Sequence, residues 1–196
     1  MESLLKFLND IRPLSPGLRY NLTQMLKEKK VTEGDYILKE GNICNKICFV
    51  EKGLFGCFYL AEKNDVASWF MKKSDVFISV TSFFLQEASW ESIVALEDSV
   101  IWYITYQEYI DLKDNFPEFD SINGALLQLY YLQMDKIRYM TFAQSAKRRC
   151  QLFFDNFPEL AQVIPDKHAA AFLGMEPSTF SRSKKKFLRE YFKVAG

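Results

Sequence analysis

Histidine is nearly absent from this sequence, since His168 is the only one among 196 residues. Zinc sites that need two histidines and catalysis by paired histidines are therefore excluded. Metal-dependent catalysis in small β-domains also depends on clusters of histidine and carboxylate. We predict on this basis that the protein is not an enzyme and that it has no metal site.

The four cysteines do not follow a common metal-binding spacing. Cys44 and Cys48 are followed by Cys57 and, much later, by Cys150, which matches neither the usual zinc patterns nor the ferredoxin runs. In a cytoplasmic chain such residues are mostly buried free thiols, and we predict this for all four. A redox or iron–sulfur role is the alternative that the sequence leaves open.

Long apolar runs and a secretory leader are also missing. Nowhere does the sequence approach the roughly 18–20 consecutive apolar residues of a membrane helix. Its first ten residues include Glu2 and Asp10 and lack the basic start and apolar block of a signal peptide. We therefore expect a cytoplasmic protein with no membrane partner.

The formal net charge of zero conceals an uneven distribution. Residues 144–196 contain ten cations and five anions, and the preceding residues carry a balancing excess of anions. Such asymmetry between two parts of a chain suggests separate roles, with an anionic partner for the basic part.

The hydrophobic pattern changes twice along the chain. Residues 1–30 repeat leucines at helical spacing. Residues 31–108 consist of short β-branched and aromatic runs separated by turn signals, which indicates an antiparallel β-barrel or sandwich. From about Tyr106 the periodicity is helical again. With 48% apolar residues, the chain has the composition of a folded protein with a core.

A long helix is predicted over residues 120–142, with apolar side chains on more than one side. Such a helix needs two partners, of which one can be the β-domain and the other the same helix of a second subunit. We predict a homodimer, and an ordinary core helix is the alternative. The predicted interface consists of Ile122, Leu126, Leu129, Tyr130 and Ile137.

The C-terminal segment predicts a helix-turn-helix. The stretch "PDKHAAAFLG" indicates a short helix that ends at Gly174, because glycine suits the left-handed position after a helix. Pro177 favours the start of the next helix. Two short helices joined by a tight turn form this motif.

The last predicted helix has one apolar face and one cationic face. At about 100° per residue, Phe180, Phe187, Leu188 and Tyr191 fall together. The opposite face has small hydroxyls first and cations after them, as a recognition helix requires. We expect Arg182 to read a base and the later cations to bind phosphate. The predicted DNA-binding residues are Ser178, Thr179, Ser181, Arg182, Lys185, Lys186 and Arg189.

Nearly the whole chain resembles the CRP/FNR family of transcriptional regulators. Residues 34–59 resemble the start of its cyclic-nucleotide-binding β-roll, residues 74–99 its central cassette, and residues 115–142 its dimer helix. The most specific match is the helix-turn-helix "DKHAAAFLGMEPSTFSRSKKKF". The resemblance implies an α+β fold with an N-terminal antiparallel β-roll of the double-stranded β-helix type, a long dimerisation helix and a C-terminal helix-turn-helix domain. The implied boundaries are 1–115, 116–143 and 144–196.

The cassette departs from the cyclic-AMP binders of the family. These place a Gly-Glu pair near Ser79 and Val80, and an arginine near Ser89 and Trp90. No arginine occurs between Arg19 and Arg138, and a buried phosphate without a bidentate cation is poorly stabilised. We therefore predict no cyclic-AMP binding. The alternative is that Lys63, Lys72 or Lys73 replaces the arginine that binds the cyclic phosphate.

We expect no cofactor, while a small-molecule effector in the β-roll stays open. We interpret the aromatic residues of the cassette first as core residues and second as residues that line a pocket. The candidate lining residues are Phe77, Ser79, Val80, Phe83, Phe84, Ser89 and Trp90.

The predicted function is sequence-specific transcriptional regulation of the CRP/FNR type without cyclic-AMP response. The resemblance implies that a homodimer binds a palindromic promoter site on double-stranded DNA and contacts RNA polymerase. The alternative is a ligand or redox sensor, or an interaction module, whose basic C-terminal helix does not read DNA sequence.

Overall fold

The computed structural model describes residues 1–60, 65–142 and 145–194. The chain forms two compact units, residues 1–59 with 69–129, and residues 60–68 with 130–196. Within the described residues, no helix is both long and apolar enough to cross a membrane.

In the described part of residues 1–115, two helices are followed by eight β-strands with one short inserted helix, and a further helix follows the last strand. In chain order the elements are α1 Glu2–Ile11, α2 Pro16–Met25, β1 Lys27–Val31, β2 Tyr36–Leu38, β3 Lys46–Lys52, β4 Phe55–Leu60, β5 Asp65–Met71, β6 Val76–Phe77, α3 Val80–Leu85, β7 Ser92–Ala95, β8 Ser99–Thr105 and α4 Tyr106–Asn115.

The strands form two four-stranded sheets, in the orders β1-β8-β3-β6 and β2-β7-β4-β5. The pairing described for these strands is antiparallel. The buried side chains of β8 include Ile101 and Ile104, which join a core with Phe49, Phe55 and other buried apolar residues. Burial of these side chains provides the main stabilisation of the β-region.

Local sequence signals explain where several helices begin. Ser15 caps α2 by accepting a hydrogen bond from the amide of Leu18. Thr105 and Glu108 form a capping box at the start of α4, which satisfies two backbone amides at once. Ser145 caps the helix that begins at Ala146, because its side chain accepts a hydrogen bond from the amide of Arg148.

The remaining elements are helical. α5 runs without interruption over Pro117–Thr141 and is followed by α6 Ala146–Asn156, α7 Pro158–Val163, α8 Asp166–Phe172 and α9 Pro177–Val194. The core of this part includes Phe153, Phe154, Phe172 and Phe180. The predicted α+β fold, with an antiparallel β-region, a long helix and C-terminal helices, is confirmed. The boundaries at residues 115 and 143 stay a prediction.

Candidate nucleic-acid interface and β-roll cavity

A short turn joins α8 to α9. α8 ends at its C-cap residue Leu173, and Gly174 follows with a φ of +59°. The amide of Gly174 donates to the carbonyl of Ala171 at 3.2 Å, and the amide of Met175 donates to that of Ala170 at 3.0 Å. This pair of hydrogen bonds is a Schellman motif, which ends a helix while satisfying its carbonyls. Glycine suits the position because a left-handed φ strains residues that have a Cβ.

Phenylalanines anchor one side of α9. Phe180 is fully buried, with its ring centroid 6.1 Å from that of Phe153 and 5.9 Å from that of Phe154. About two turns further along the same face, Phe187 stacks on Phe154 at a centroid distance of 4.3 Å. These contacts set the rotation of α9 about its own axis, because turning the helix would expose both rings to water.

The predicted apolar face of α9 is wider than the face that packs. Leu188 is 40% exposed, so it does not belong to the anchor, and its assignment to the packed side is wrong. Each residue turns the helix by about 100°, and Leu188 therefore lies one step beyond the buried ring of Phe187. The side chain of Tyr191 lies outside the described part of the chain.

The predicted DNA-binding residues all lie on α9 and reach its surface to different degrees. Arg182 Nε donates to the backbone carbonyl of Ser178 at 3.2 Å, which places the guanidinium beside the first turn of the helix. That first turn contains no acidic residue, and Glu176 directly precedes it. Ser178, Arg182, Lys185, Lys186 and Arg189 are exposed, and Thr179 and Ser181 are half-buried.

Two cations contact protein groups around the turn, and the sequence did not reveal either role. Lys184 Nζ lies 2.8 Å from Asp166 Oδ1, which links α9 to the start of α8. Arg149 Nε of α6 donates to the carbonyl of Leu173 at 2.8 Å. Arg149 is 24 positions from its acceptor, and a periodicity argument detects only neighbours within one helix or strand.

The long helix α5 exposes a large apolar surface in the single chain. Of the predicted dimer residues, Leu129 and Tyr130 are exposed and Leu126 is half-buried against the core of the first unit. Ile122 and Ile137 are buried within the chain, so they are not free to contact a partner. Further exposed apolar residues on this helix and just after it are Leu127, Tyr131, Leu132, Tyr139 and Phe142.

Two serines occupy the predicted cyclic-nucleotide positions in the cassette. Ser79 and Ser89 are both buried, and their hydroxyl oxygens lie 3.1 Å apart in a hydrogen bond. Ser89 Oγ also donates to the carbonyl of Glu91 at 2.8 Å. Their hydroxyls are thus engaged with each other and with the cassette backbone.

The helix of the cassette is held by further hydrogen bonds. Ser82 Oγ accepts from the amide of Cys44 at 2.8 Å and donates to the carbonyl of Glu87 at 2.5 Å. Gln86, in the left-handed conformation at the end of α3, donates to the carbonyl of Phe83 at 2.6 Å. The short helix α3 is therefore tied to the loop that precedes β3.

The structure separates the predicted pocket aromatics. Phe83 is fully buried and packs edge-on against Tyr106 and Tyr109 at 5.3 Å. Trp90 is 63% exposed and Phe84 is also exposed, while Val80 is half-buried at the start of α3. Of the predicted lining residues, only Phe77 borders the cavity described below.

A cavity of about 320 Å³ lies in the β-roll. Both polar and apolar side chains line it, as in small-molecule pockets. Its cations are Lys39 and Lys46, whereas Lys72 and Lys73 do not line it and Lys63 lies outside the described residues. The lining residues are Tyr36, Ile37, Leu38, Lys39, Asn42, Ile43, Cys44, Asn45, Lys46, Cys48, Phe77, Ile78 and Ile93.

All four cysteines are buried and free, as predicted. Burial raises the pKa of the thiols of Cys44, Cys48 and Cys150. Because the thiolate is the reactive form, a raised pKa lowers reactivity toward oxidants. The described residues contain no group of three or more histidine, cysteine or acidic side chains arranged to bind a metal ion.

Comparisons with known proteins support this description. Residues 28–115 match the family model of the cyclic nucleotide-binding domain. No curated protein matches the chain. Among solved structures, FixK2 from Bradyrhizobium japonicum has a TM-score of 0.72 at 12% identity, with 84% of this chain and 85% of that one covered.

Two further structures match over most of both chains. A putative CRP/FNR-family transcriptional regulator from Eubacterium rectale has a TM-score of 0.71 at 15% identity, covering 94% of this chain and 88% of that one. The c-di-GMP-responsive regulator CLP from Xanthomonas campestris has a TM-score of 0.69 at 9% identity, covering 90% and 93%. The family model thus supports the predicted β-roll, and these structures show that the chain has the predicted fold over most of its length.

Proposed function

We propose that this chain, which has the fold of the CRP/FNR regulators, is a homodimeric, sequence-specific DNA-binding transcriptional regulator that does not respond to cyclic AMP. The observation that carries the proposal is the presentation of α9. Phe180 and Phe187 pack its inner side, and exposed Arg182, Lys185 and Arg189 lie outside. An anchored helix with an exposed cationic face is the arrangement that binds the major groove.

The sequence of α9 suits base reading at its start and phosphate binding further along. Ser178 and Arg182 lie within the first two turns, where a helix entering the major groove approaches base edges. An arginine there binds guanine through two hydrogen bonds. Lys185, Lys186 and Arg189 follow, and cations along a helix bind phosphates without regard to sequence.

Dimer formation in this proposal uses the exposed apolar residues of α5. Leu129 and Tyr130 were predicted from the sequence, and Leu127, Tyr131 and Leu132 extend the exposed apolar surface. Contiguous exposed apolar surface on a soluble protein marks an interaction site. A two-fold dimer would present two copies of α9 to the two halves of a palindromic DNA site.

The lack of cyclic-nucleotide response in this proposal rests on the cassette. The sequence provides no arginine between Arg19 and Arg138, and Ser79 and Ser89 bond each other where the family places its ribose and phosphate contacts. An effector of another kind, bound in the β-roll cavity, is compatible with this proposal, as is contact with RNA polymerase, which the family resemblance implies.

The proposal is tested by selecting bound sequences from a random pool of DNA duplexes. A palindromic consensus is expected, because two subunits related by a two-fold axis read the same bases on opposite strands. If the selected pool shows no consensus, the alternative of a basic interaction module replaces this proposal. The same conclusion would follow if the binding constant fell with salt on every duplex and no sequence were preferred.

Replacing Arg182 by alanine is expected to reduce specific binding by about 1–3 kcal/mol per half-site and to relax the preference at one base position. Arg182 is exposed and bonds only its own helix in the interactions described, so the fold should be unaffected. Affinities for the selected and a scrambled duplex are measured at several salt concentrations.

Lys185→Ala is the matched control on the same face of α9. It should weaken binding to both duplexes similarly and reduce the salt slope by about one per site. If Arg182→Ala also lowers both affinities by the same factor, Arg182 is part of a basic patch and does not read a base.

No saturating heat is expected when cyclic AMP or cyclic GMP is titrated to millimolar concentration in a calorimeter. A buried phosphate needs a charge-assisted partner, and Ser79 and Ser89 supply only hydroxyls that already bond each other. A cyclic-AMP-binding protein measured in the same buffer provides the positive control. A saturable heat with one site per subunit would contradict the prediction.

A further inference from the structure

The turn between α8 and α9 has backbone carbonyls that its own Schellman motif leaves without partners. That motif satisfies the carbonyls of Ala170 and Ala171. The carbonyls of Leu173 and Gly174 belong to the C-cap and the turn, where the helix dipole leaves partial negative charge. A cation donating at this point satisfies hydrogen bonds and interacts favourably with the dipole.

Arg149 of α6 donates hydrogen bonds to both of these carbonyls. Its Nε donates to the carbonyl of Leu173 at 2.8 Å, and its Nη2 approaches the carbonyl of Gly174 at 3.3 Å. Two donors of one rigid guanidinium therefore hold two successive carbonyls. A lysine has a single ammonium nitrogen on a flexible stem and cannot reproduce this fork.

The base of Arg149 is itself fixed. Its backbone amide donates to the carbonyl of Ser145 at 3.0 Å in the first turn of α6, and the next residue, Cys150, is buried with its Sγ 3.6 Å from the Sδ of Met175. The side chain of Arg149 is half-buried. The arginine thus connects a packed helix to the residue at which α8 turns toward α9.

The other end of α8 has its own ionic link. Lys184 Nζ of α9 lies 2.8 Å from Asp166 Oδ1 in the first turn of α8. α8 is held at its start by α9 and at its end by α6, so the angle between α8 and α9 has two polar restraints. Both restraints use cations, and both leave the exposed face of α9 uncovered.

We propose that Arg149 is a positioning residue for DNA recognition: by holding the carbonyls of Leu173 and Gly174, it sets the orientation of α9 without contacting DNA. This inference rests on the proposed function. Specific binding requires several side chains to meet base edges at once, so it is sensitive to small rotations of α9. Non-specific binding to phosphates tolerates such rotations.

The test compares Arg149→Lys with wild type in the full chain, on the selected duplex and on its scrambled counterpart. Arg149→Lys keeps the charge and loses the fork. We expect about a 10-fold loss of affinity for the selected duplex, the size of one charge-assisted hydrogen bond. Affinity for the scrambled duplex and the salt slope should stay unchanged. Arg148→Lys, an exposed arginine one position earlier, is the matched control and should change neither affinity.

Hydrogen exchange of the turn amides gives a second measurement that needs no DNA. In Arg149→Lys the amides of Gly174 and Met175 should exchange faster, because the turn opens more often once its carbonyls are released. The amides within α6 should keep their protection. A purely stabilising role would instead lower protection throughout the second unit and reduce both DNA affinities together.

The outcomes separate this proposal from the function on which it rests. Equal loss on both duplexes, or wild-type specificity together with unchanged exchange at the turn, would overturn the positioning role. A wild-type protein that selects no consensus would remove the proposed function, and the positioning role would fall with it. A variant that melts below the assay temperature is replaced by Arg149→Gln, which also lacks the two-nitrogen fork, and the ratio of the affinities for the selected and scrambled duplexes is expected to fall in the same way.

Discussion

Leu129→Glu is expected to convert the protein from a dimer to a monomer at micromolar concentration. Leu129 is 52% exposed on α5 in the single chain, so the substitution removes little packing within the subunit. In a two-fold interface the residue occurs twice, and each buried leucine contributes about 1.5–3 kcal/mol. Two introduced carboxylates would in addition be desolvated or face each other. Sedimentation velocity at several concentrations measures the change.

DNA affinity should fall with the loss of the dimer. Joining two half-site contacts in one particle raises overall affinity by about 10²–10⁴-fold, and a monomer loses this advantage. Leu85→Glu is the control, because Leu85 is a comparably exposed leucine on α3, and it should leave both mass and DNA affinity unchanged. Leu126 is a poorer test, since it packs against the core of the first unit. A folded Leu129→Glu variant that stays dimeric would place the interface elsewhere.

Phe180→Ala is expected to destabilise the C-terminal unit by about 3–5 kcal/mol, the usual cost of emptying a fully buried phenylalanine site. Phe180 contacts the rings of Phe153 and Phe154, and its loss leaves a cavity between α6 and α9. Because the same ring anchors α9, specific DNA binding should disappear as the unit unfolds. Urea unfolding followed by circular dichroism gives the free energy of unfolding.

Leu188→Ala is the matched comparison on the same helix. Leu188 is 40% exposed, and substitutions at such surface positions usually change stability by less than about 0.5 kcal/mol. The contrast between the two variants measures how α9 is anchored. Similar losses from both would mean that Leu188 packs as the sequence predicted and that α9 is rotated from the orientation described.

Periodicity predicted α9 well and α5 less completely. On α9, the buried Phe180 and the exposed Arg182 lie where 100° per residue places them. On α5, apolar residues surround much of the helix, and their pattern provides no basis for choosing which of them pack within the subunit. Ile122 lies in the core and Leu129 is exposed, although both were predicted for the same interface. The choice depends on where the neighbouring elements lie.

By itself, the sequence determined the β-character of most of residues 31–108, although not the helix α3 within them, together with the turn at Gly174 and the lack of arginine in the β-roll. These features depend on residue type and on neighbours within a few positions, because caps, turns and amphipathic faces are local. Tertiary structure alone decided that Ser79 bonds Ser89, that Arg149 holds the carbonyls beyond α8, and which apolar residues of α5 are buried within the chain. These contacts join different elements, and only packing of the whole chain brings their atoms within hydrogen-bonding or van der Waals distance.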